Sequence, residues 1–254
     1  MLFSKCKLEQ DCPHRVPIND PLWLFKQDRA QLKVLEGGDV YTFKSQSQQN
    51  PNSMTGLIFP ESCFQFYEHL PEDLYGHTIF GDTAQKTEER HDYSVFQLWA
   101  RSSGTGDIYL IDQVRGKWEA PMLEMNLIKF WNKHRRTRFK PKGAERVVIE
   151  HGSSGTSLIQ SIRNEGIIPI SGVHRSKDKH QRVMAVIKFF NMGRIWLPML
   201  KNHPWMDDYL NEFREFTSEM THKHDDQIDP TIDAVDSLVV FNDALQQMSE
   251  RSMS

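Results

Sequence analysis

The sequence is poor in cysteine, in long apolar runs and in net charge. Three cysteines in 254 residues, Cys6, Cys12 and Cys63, make no disulfide framework and point to a reducing, intracellular compartment. Cys6, Cys12 and His14 lack the second ligand pair of a zinc module and read as ordinary side chains. No apolar run approaches the ~20 residues of a membrane span, and the start shows no signal-peptide pattern, so no membrane is expected as a partner. There is no internal repeat. The segment 152–157 (GSSGTS) lacks the Gly-Lys-Ser/Thr ending of a nucleotide-binding phosphate loop. A formal net charge of -3 excludes a uniformly basic nucleic-acid binder.

The charge present is unevenly placed. Residues 133–142 (KHRRTRFKPK) carry six Lys/Arg and no acid, and residues 174–182 (HRSKDKHQR) are again mostly basic. Residues 207–236 hold ten acids against Arg214 and Lys223. A basic patch facing an acidic cluster suits phosphodiester cleavage, because cations hold phosphates while carboxylates hold a metal. The candidate phosphate contacts are Lys133, Arg135, Arg136 and Arg138 in the first run. In the second they are Lys177, Lys179 and Arg182. Either run also fits a solvated helix end.

Three acidic stations stand out. Asp82 (in HTIFGDT) and Glu150 (in VVIEHG) each end a β-branched, apolar run, where a strand finishes and its last side chain can face a cleft. Asp225 and Asp226 (in HDDQID) open an apparent helix. Glu is a poor strand residue and has no evident reason to close a Val-Val-Ile run. A strand-end Asp can equally be a turn-former, and helix-entry acids can simply complement the dipole. Asp229 and Asp233 fit that second role, while Asp92 and Asp112 are further candidates. Carboxylates gathered from strand ends repel one another, and Mg²⁺ or Mn²⁺ is the usual remedy. The set points to two such ions serving a metal-dependent phosphodiester hydrolase.

The element order agrees. Strands are expected at 77–82, 93–101, 107–114, 147–150 and 167–173, with a hairpin turn at 102–106. Helices are expected from Pro121 past Trp131 and over 153–165, 177–192, 205–220 and 231–248, with a short extended piece at 195–197. Three meandering strands followed by alternating strands and helices predict an α/β fold, a ribonuclease H-like mixed five-stranded sheet with helices on both faces. A fourth strand returning beside the first would set Glu150 next to Asp82. The tryptophans fall within apolar patterns and read as packing. Residues 1–70 differ in being rich in Gln, Asn, Pro and Ser, with one helix near 26–35 and a polar stretch at 44–53. They are read as an arm, 71–248 as the domain and 249–254 as a polar tail.

The run 81–100 (GDTAQKTEERHDYSVFQLWA) resembles the opening of the nuclease domain of the tailed-phage terminase large subunit. The phrases IYLIDQVRGKWEAP, VVIEHGSSG, GRIWLP and HDDQIDPTIDAV follow in that family's order, and the arm (DPLW, then FKSQSQQNPNSMTGLIF) resembles the passage from the family's motor domain into its nuclease. The resemblance implies a nuclease that cuts concatemeric double-stranded DNA during genome packaging in the bacterial cytoplasm. Asp82, Glu150 and Asp225 or Asp226 would be its metal ligands. The implied partners are DNA, a separate terminase ATPase part, a small terminase subunit and a portal protein. Without a phosphate loop the chain would be the nuclease half of a split or truncated gene. A junction resolvase or transposase-like enzyme of the same fold, and a non-catalytic docking subunit, are the alternatives.

Overall fold

The computed structural model describes residues 58–84, 93–216 and 226–243. Its centre is a mixed sheet of seven strands in the order β1-β7-β4-β3-β2-β5-β6. The strands are β1 Gln65–Tyr67, β2 Leu74–Asp82, β3 Ser94–Ser102, β4 Ile108–Gly116, β5 Arg146–Glu150, β6 Ile170–Val173 and β7 Ile195–Pro198. β3 is antiparallel to β2 and β4, and every other pairing is parallel. Six strands therefore end at the same edge. The expected five are all present. Two more strands join the sheet: β1, three residues long and too short for an alternating pattern to declare it, and β7, which is the short extended piece expected at 195–197.

The helices lie on both faces, as the periodicity predicts. α1 (Ala120–His134) and α2 (Ser153–Glu165) cover one face. Their Leu123, Leu127, Phe130, Leu158, Ile159 and Ile162 meet Ile79, Phe96, Leu98, Val147 and Ile149 of the sheet. α3 (Lys179–Asn191), α4 (Met206–Glu215) and α5 (Ile228–Val235) cover the other. There Val183, Val186, Phe190, Tyr209, Phe213 and Ile232 pack against Phe80, Trp99, Leu110 and Leu197. Phe59, Cys63 and Phe64, which the sequence reading left in the arm, belong to this second core. α5 starts at Ile228, earlier than expected, and passes into a π-helical turn at Asp236–Val240. Arg101 fixes that turn by donating from Nη1 to the Leu238 carbonyl at 2.5 Å. Cys6, Cys12, His14, Asp92, Asp225, the helix near 26–35 and the stretch 44–53 lie outside the described residues.

Asp112 turns out to join a strand to a helix. It follows a bulge in β4 opposite Leu98 and accepts from Lys133 Nζ at 2.6 Å. His134 Nε2 lies 2.7 Å from the same oxygen, so the carboxylate fastens the last turn of α1 to the sheet. Burial alone would raise its pKa, but His134, Lys133 and the Gln113 amide overcome this and hold it at about 2. A folded-state value below the unfolded 3.8 adds stability above that pH, which is lost as pH falls through about 2. Asp112→Asn is therefore expected to lower stability at pH 7 by about 2 kcal/mol. The gap from the parent protein should close between about pH 4 and pH 2 in denaturant melts.

Candidate active site

Side-chain alternation aims the two strand-end acids. Phe80 and Val148 point into the core beneath α3, α4 and α5. Asp82 and Glu150, two residues further on, therefore leave the sheet on that same face. β2 and β5 are parallel neighbours, with Gly81 opposite Ile149, so the acids emerge side by side. Glu150 is one of the groups that raise the Asp82 pKa. Carboxyl ends of strands are where open α/β sheets place their ligands.

α5 supplies the facing wall, and a buried amide network sets its position. Gln97 Nε2 donates to Gln113 Oε1 at 2.8 Å and to the Gln227 carbonyl at 3.0 Å, and Gln113 Nε2 donates to Gln227 Oε1 at 2.6 Å. Glu212 accepts from the Gln227 backbone amide at 2.6 Å and from its Nε2 at 2.7 Å. Burial pushes the Glu212 pKa up to about 7. The helix start is thereby pinned to β3 and β4. Asp229 and Asp233, one helical turn apart, share the face that looks at Asp82 and Glu150.

One guanidinium joins the four acids. Arg175, just beyond β6 and 6% exposed, brings Nη1 within 3.5 Å of Asp82 Oδ1 and of Asp229 Oδ2. The same nitrogen donates to Glu150 Oε2. Its Nη2 and Nε donate to Asp233 Oδ2 at 2.8 and 3.3 Å. Lys179 Nζ lies 2.7 Å from Asp229 Oδ2, and Arg182 Nη2 lies 2.5 Å from Asp229 Oδ1. The Nε and Nη1 of Arg182 are buried with no hydrogen-bond acceptor among the described residues, Nη1 lying 3.9 Å from Asp233 Oδ1. His151 and His174, neighbours of Glu150 and Arg175 in the chain, stack with centroids 4.2 Å apart and tie the two segments together.

The electrostatics follow from this crowding. Desolvation raises the Asp82 pKa well above the usual range. Arg175 pulls it back, but Asp229 and Glu150 push it up further. Asp233 is raised chiefly by burial, against the pull of Arg175. Arg175 is held protonated: burial opposes its charge, but Asp82, Asp229 and Asp233 outweigh that.

The structure thus unites Asp82, Glu150, Lys179 and Arg182 and adds Asp229, Asp233 and Arg175, which the sequence reading did not place in the site. Asp226 lies 3.5 Å from Arg115 Nη2, a guanidinium that also reaches Glu212 at 3.4 Å. Lys177 is exposed. The run 133–142 does not face the acids, contrary to expectation. It leads into the amino end of β5, whereas Glu150 is at the carboxyl end, and Lys142 Nζ donates to the Glu72 carbonyl just before β2. Nine residues of β2 separate the two ends, roughly 25 Å. Lys133 is bound to Asp112, Arg136 lies 3.3 Å from Glu145, and Arg135 and Arg138 are exposed. A sequence clue to Asp229 and Asp233 did exist: acids four apart on one side of an otherwise apolar helix.

A family model for the terminase RNaseH-like domain matches residues 79–238. The chain belongs to that family. The match takes in every carboxylate and cation just described. This terminase domain also aligns with the large terminase of a thermophilic bacteriophage. The TM-score is 0.60 at 14% identity, over 82% of this chain and 52% of that one. A second structure of the same phage protein, in complex with ATP-gamma-S, gives a TM-score of 0.60 at 13% identity, over 84% and 53%. At that identity the likeness is one of fold. The chain spans about half the length of the phage protein. No curated protein matches it. No helix among the described residues of this terminase domain is long and apolar enough to cross a membrane.

The donor set suits a hard divalent cation. Carboxylate oxygens on Asp82, Glu150 and Asp229 converge on a single positive atom, Arg175 Nη1, and such oxygens are the ligands Mg²⁺ and Mn²⁺ favour. Among the described residues no three acids, histidines or cysteines form a ready-made ion cage, and the guanidinium lies between these three carboxylates.

Proposed function

We propose that this chain is a divalent-metal-dependent endonuclease that cuts concatemeric double-stranded DNA during genome packaging in the bacterial cytoplasm. The observation that carries the reading is the meeting of Asp82, Glu150 and Asp229 at the carboxyl edge of a terminase-family sheet. Asp82, Glu150 and Asp229 would hold the metal, Asp82 from between the other two. Bound there, two ions would supply an activated water and charge stabilisation for the leaving 3′ oxygen. The protein's own part is to fix the acids and to receive the DNA. The Gln97–Gln113–Gln227 network sets the α5 wall. Lys179 and Arg182, both paired with Asp229 beside the acids, are the groups a backbone phosphate would meet. The other proposed partners are a separate terminase ATPase part, a small terminase subunit and a portal protein.

Plasmid nicking by the full chain in Mg²⁺ or Mn²⁺ tests this reading. Asp229→Asn should lower the rate by at least about 100-fold, while Asp226→Asn should retain most of it. The reverse pattern would reassign the third ligand to the Asp226 station. A preference for four-way junctions over linear duplex would favour a resolvase, and no cleavage by the unaltered chain in either metal would favour a docking role.

A further inference from the structure

The cation already among the carboxylates has consequences of its own. Four acids, Asp82, Glu150, Asp229 and Asp233, face three basic side chains, Arg175, Lys179 and Arg182, so the cluster is nearly charge-balanced by the protein alone. Arg175 is divided in its contacts. Its Nε and Nη2 are held by Asp233, while Nη1 alone touches Asp82, Glu150 and Asp229. A Mg²⁺ or Mn²⁺ ion binds oxygen at roughly 2.0–2.2 Å, so the oxygens around it must close on one point. Between these three acids that point is where Nη1 lies. A guanidinium and a divalent ion in contact in a largely buried site repel strongly.

We propose that Arg175 is a built-in competitor of the divalent ion. Ion loading displaces Nη1 from Asp82, Glu150 and Asp229 while Asp233 retains the other side of the guanidinium. Two properties follow. The acidic cluster is stabilised by Arg175 when divalent ions are scarce, so acids that would otherwise repel are held together. Metal affinity is correspondingly set below what the three carboxylates would give alone, by the work of displacing the arginine. Linkage makes the two effects reciprocal: whatever Arg175 contributes to the ion-free cluster is subtracted from ion binding. Asp233 acts as a positioning residue, since it touches the fixed side of the guanidinium and keeps the displaced group beside the site.

This inference rests on the metal reading above, and calorimetric Mn²⁺ titration with thermal melting of the full chain separates the two. Arg175→Gln removes the charge and leaves a shorter polar side chain. It should bind Mn²⁺ about tenfold more tightly than the unaltered protein, within the usual range of coupling between linked sites. Its melting temperature without added divalent ion should fall, and the rise on adding Mn²⁺ should exceed that of the unaltered protein. Should that variant fail to fold, Arg175→Lys keeps the charge but cannot span Asp233 and the three acids together, and is expected to shift both readings the same way. Equal or weaker Mn²⁺ binding by the folded variant overturns the competition and leaves the metal site standing. Absence of Mn²⁺ binding by both proteins overturns the metal reading itself.

Discussion

Replacing Asp82 with Asn is expected to cripple metal-dependent cleavage while leaving the fold at least as stable. The loss should be about 10³-fold, the scale seen when a group that stabilises transition-state charge is removed. Stability moves the other way because the native environment resists the ionised form. Asp82 is desolvated and crowded by Asp229 and Glu150, and its pKa lies well above the usual carboxylate range. A group raised in this way favours the fold most at low pH, and its contribution is lost as pH rises through the folded-state value. At neutral pH a neutral amide of nearly the same shape relieves that penalty, and Arg175 still has Glu150, Asp229 and Asp233 to hold. Melting temperature and plasmid nicking measured on one preparation decide it. Nicking in Mg²⁺ that survives the change would remove Asp82 from the chemistry, and a large drop in melting temperature would show its main role to be structural.

Gly155→Ala should be the most damaging small substitution outside the acids. By helix propensity alone it ought to help, since alanine exceeds glycine by about 1 kcal/mol within a helix. Packing reverses the sign. A Cβ at this position would overlap the Glu150 carbonyl oxygen, and would lie 3.2 Å from both Ile149 Cγ2 and Thr83 Oγ1. The first clash is with backbone and cannot be relieved by a rotamer, so α2 and the end of β5 must separate by about 1 Å to restore ordinary contact. Overpacking on that scale costs about 1–3 kcal/mol, enough to cancel the propensity gain and to leave a net loss. The backbone forced to move carries Glu150, and a misplacement of about 1 Å in a reacting group can cost about 100-fold in rate. Denaturant melts together with nicking rates test both parts, and a variant as stable and active as its parent would refute the close approach of α2 to β5.

Asp82 and Glu150 were legible because each departs from the pattern of its own strand, and because the strand order makes β2 and β5 neighbours. Segments with a full period, such as Ser153–Glu165, also matched their expected limits. The remainder depended on contacts that no local pattern encodes. Arg175 sits in a visibly basic stretch, but its partners come from β2, β5 and α5. Asp229 was read as a helix-entry acid beside Pro230, whereas the amide network under Gln227 turns it toward the strands. The basic run 133–142 was plain as composition. Its location was not, because a loop that returns from α1 to β5 must arrive at the amino end of that strand.

That return gives the domain a division of labour along its length. Thr137 and Lys140 close a tight turn by exchanging backbone hydrogen bonds at 2.9 and 3.1 Å, and between them Phe139 is 94% exposed. Any residue changed at this tip is a full strand length from the acids, with the packed sheet between. The tip can be rewritten during evolution, for another neighbour or for none, without disturbing a single contact among the carboxylates.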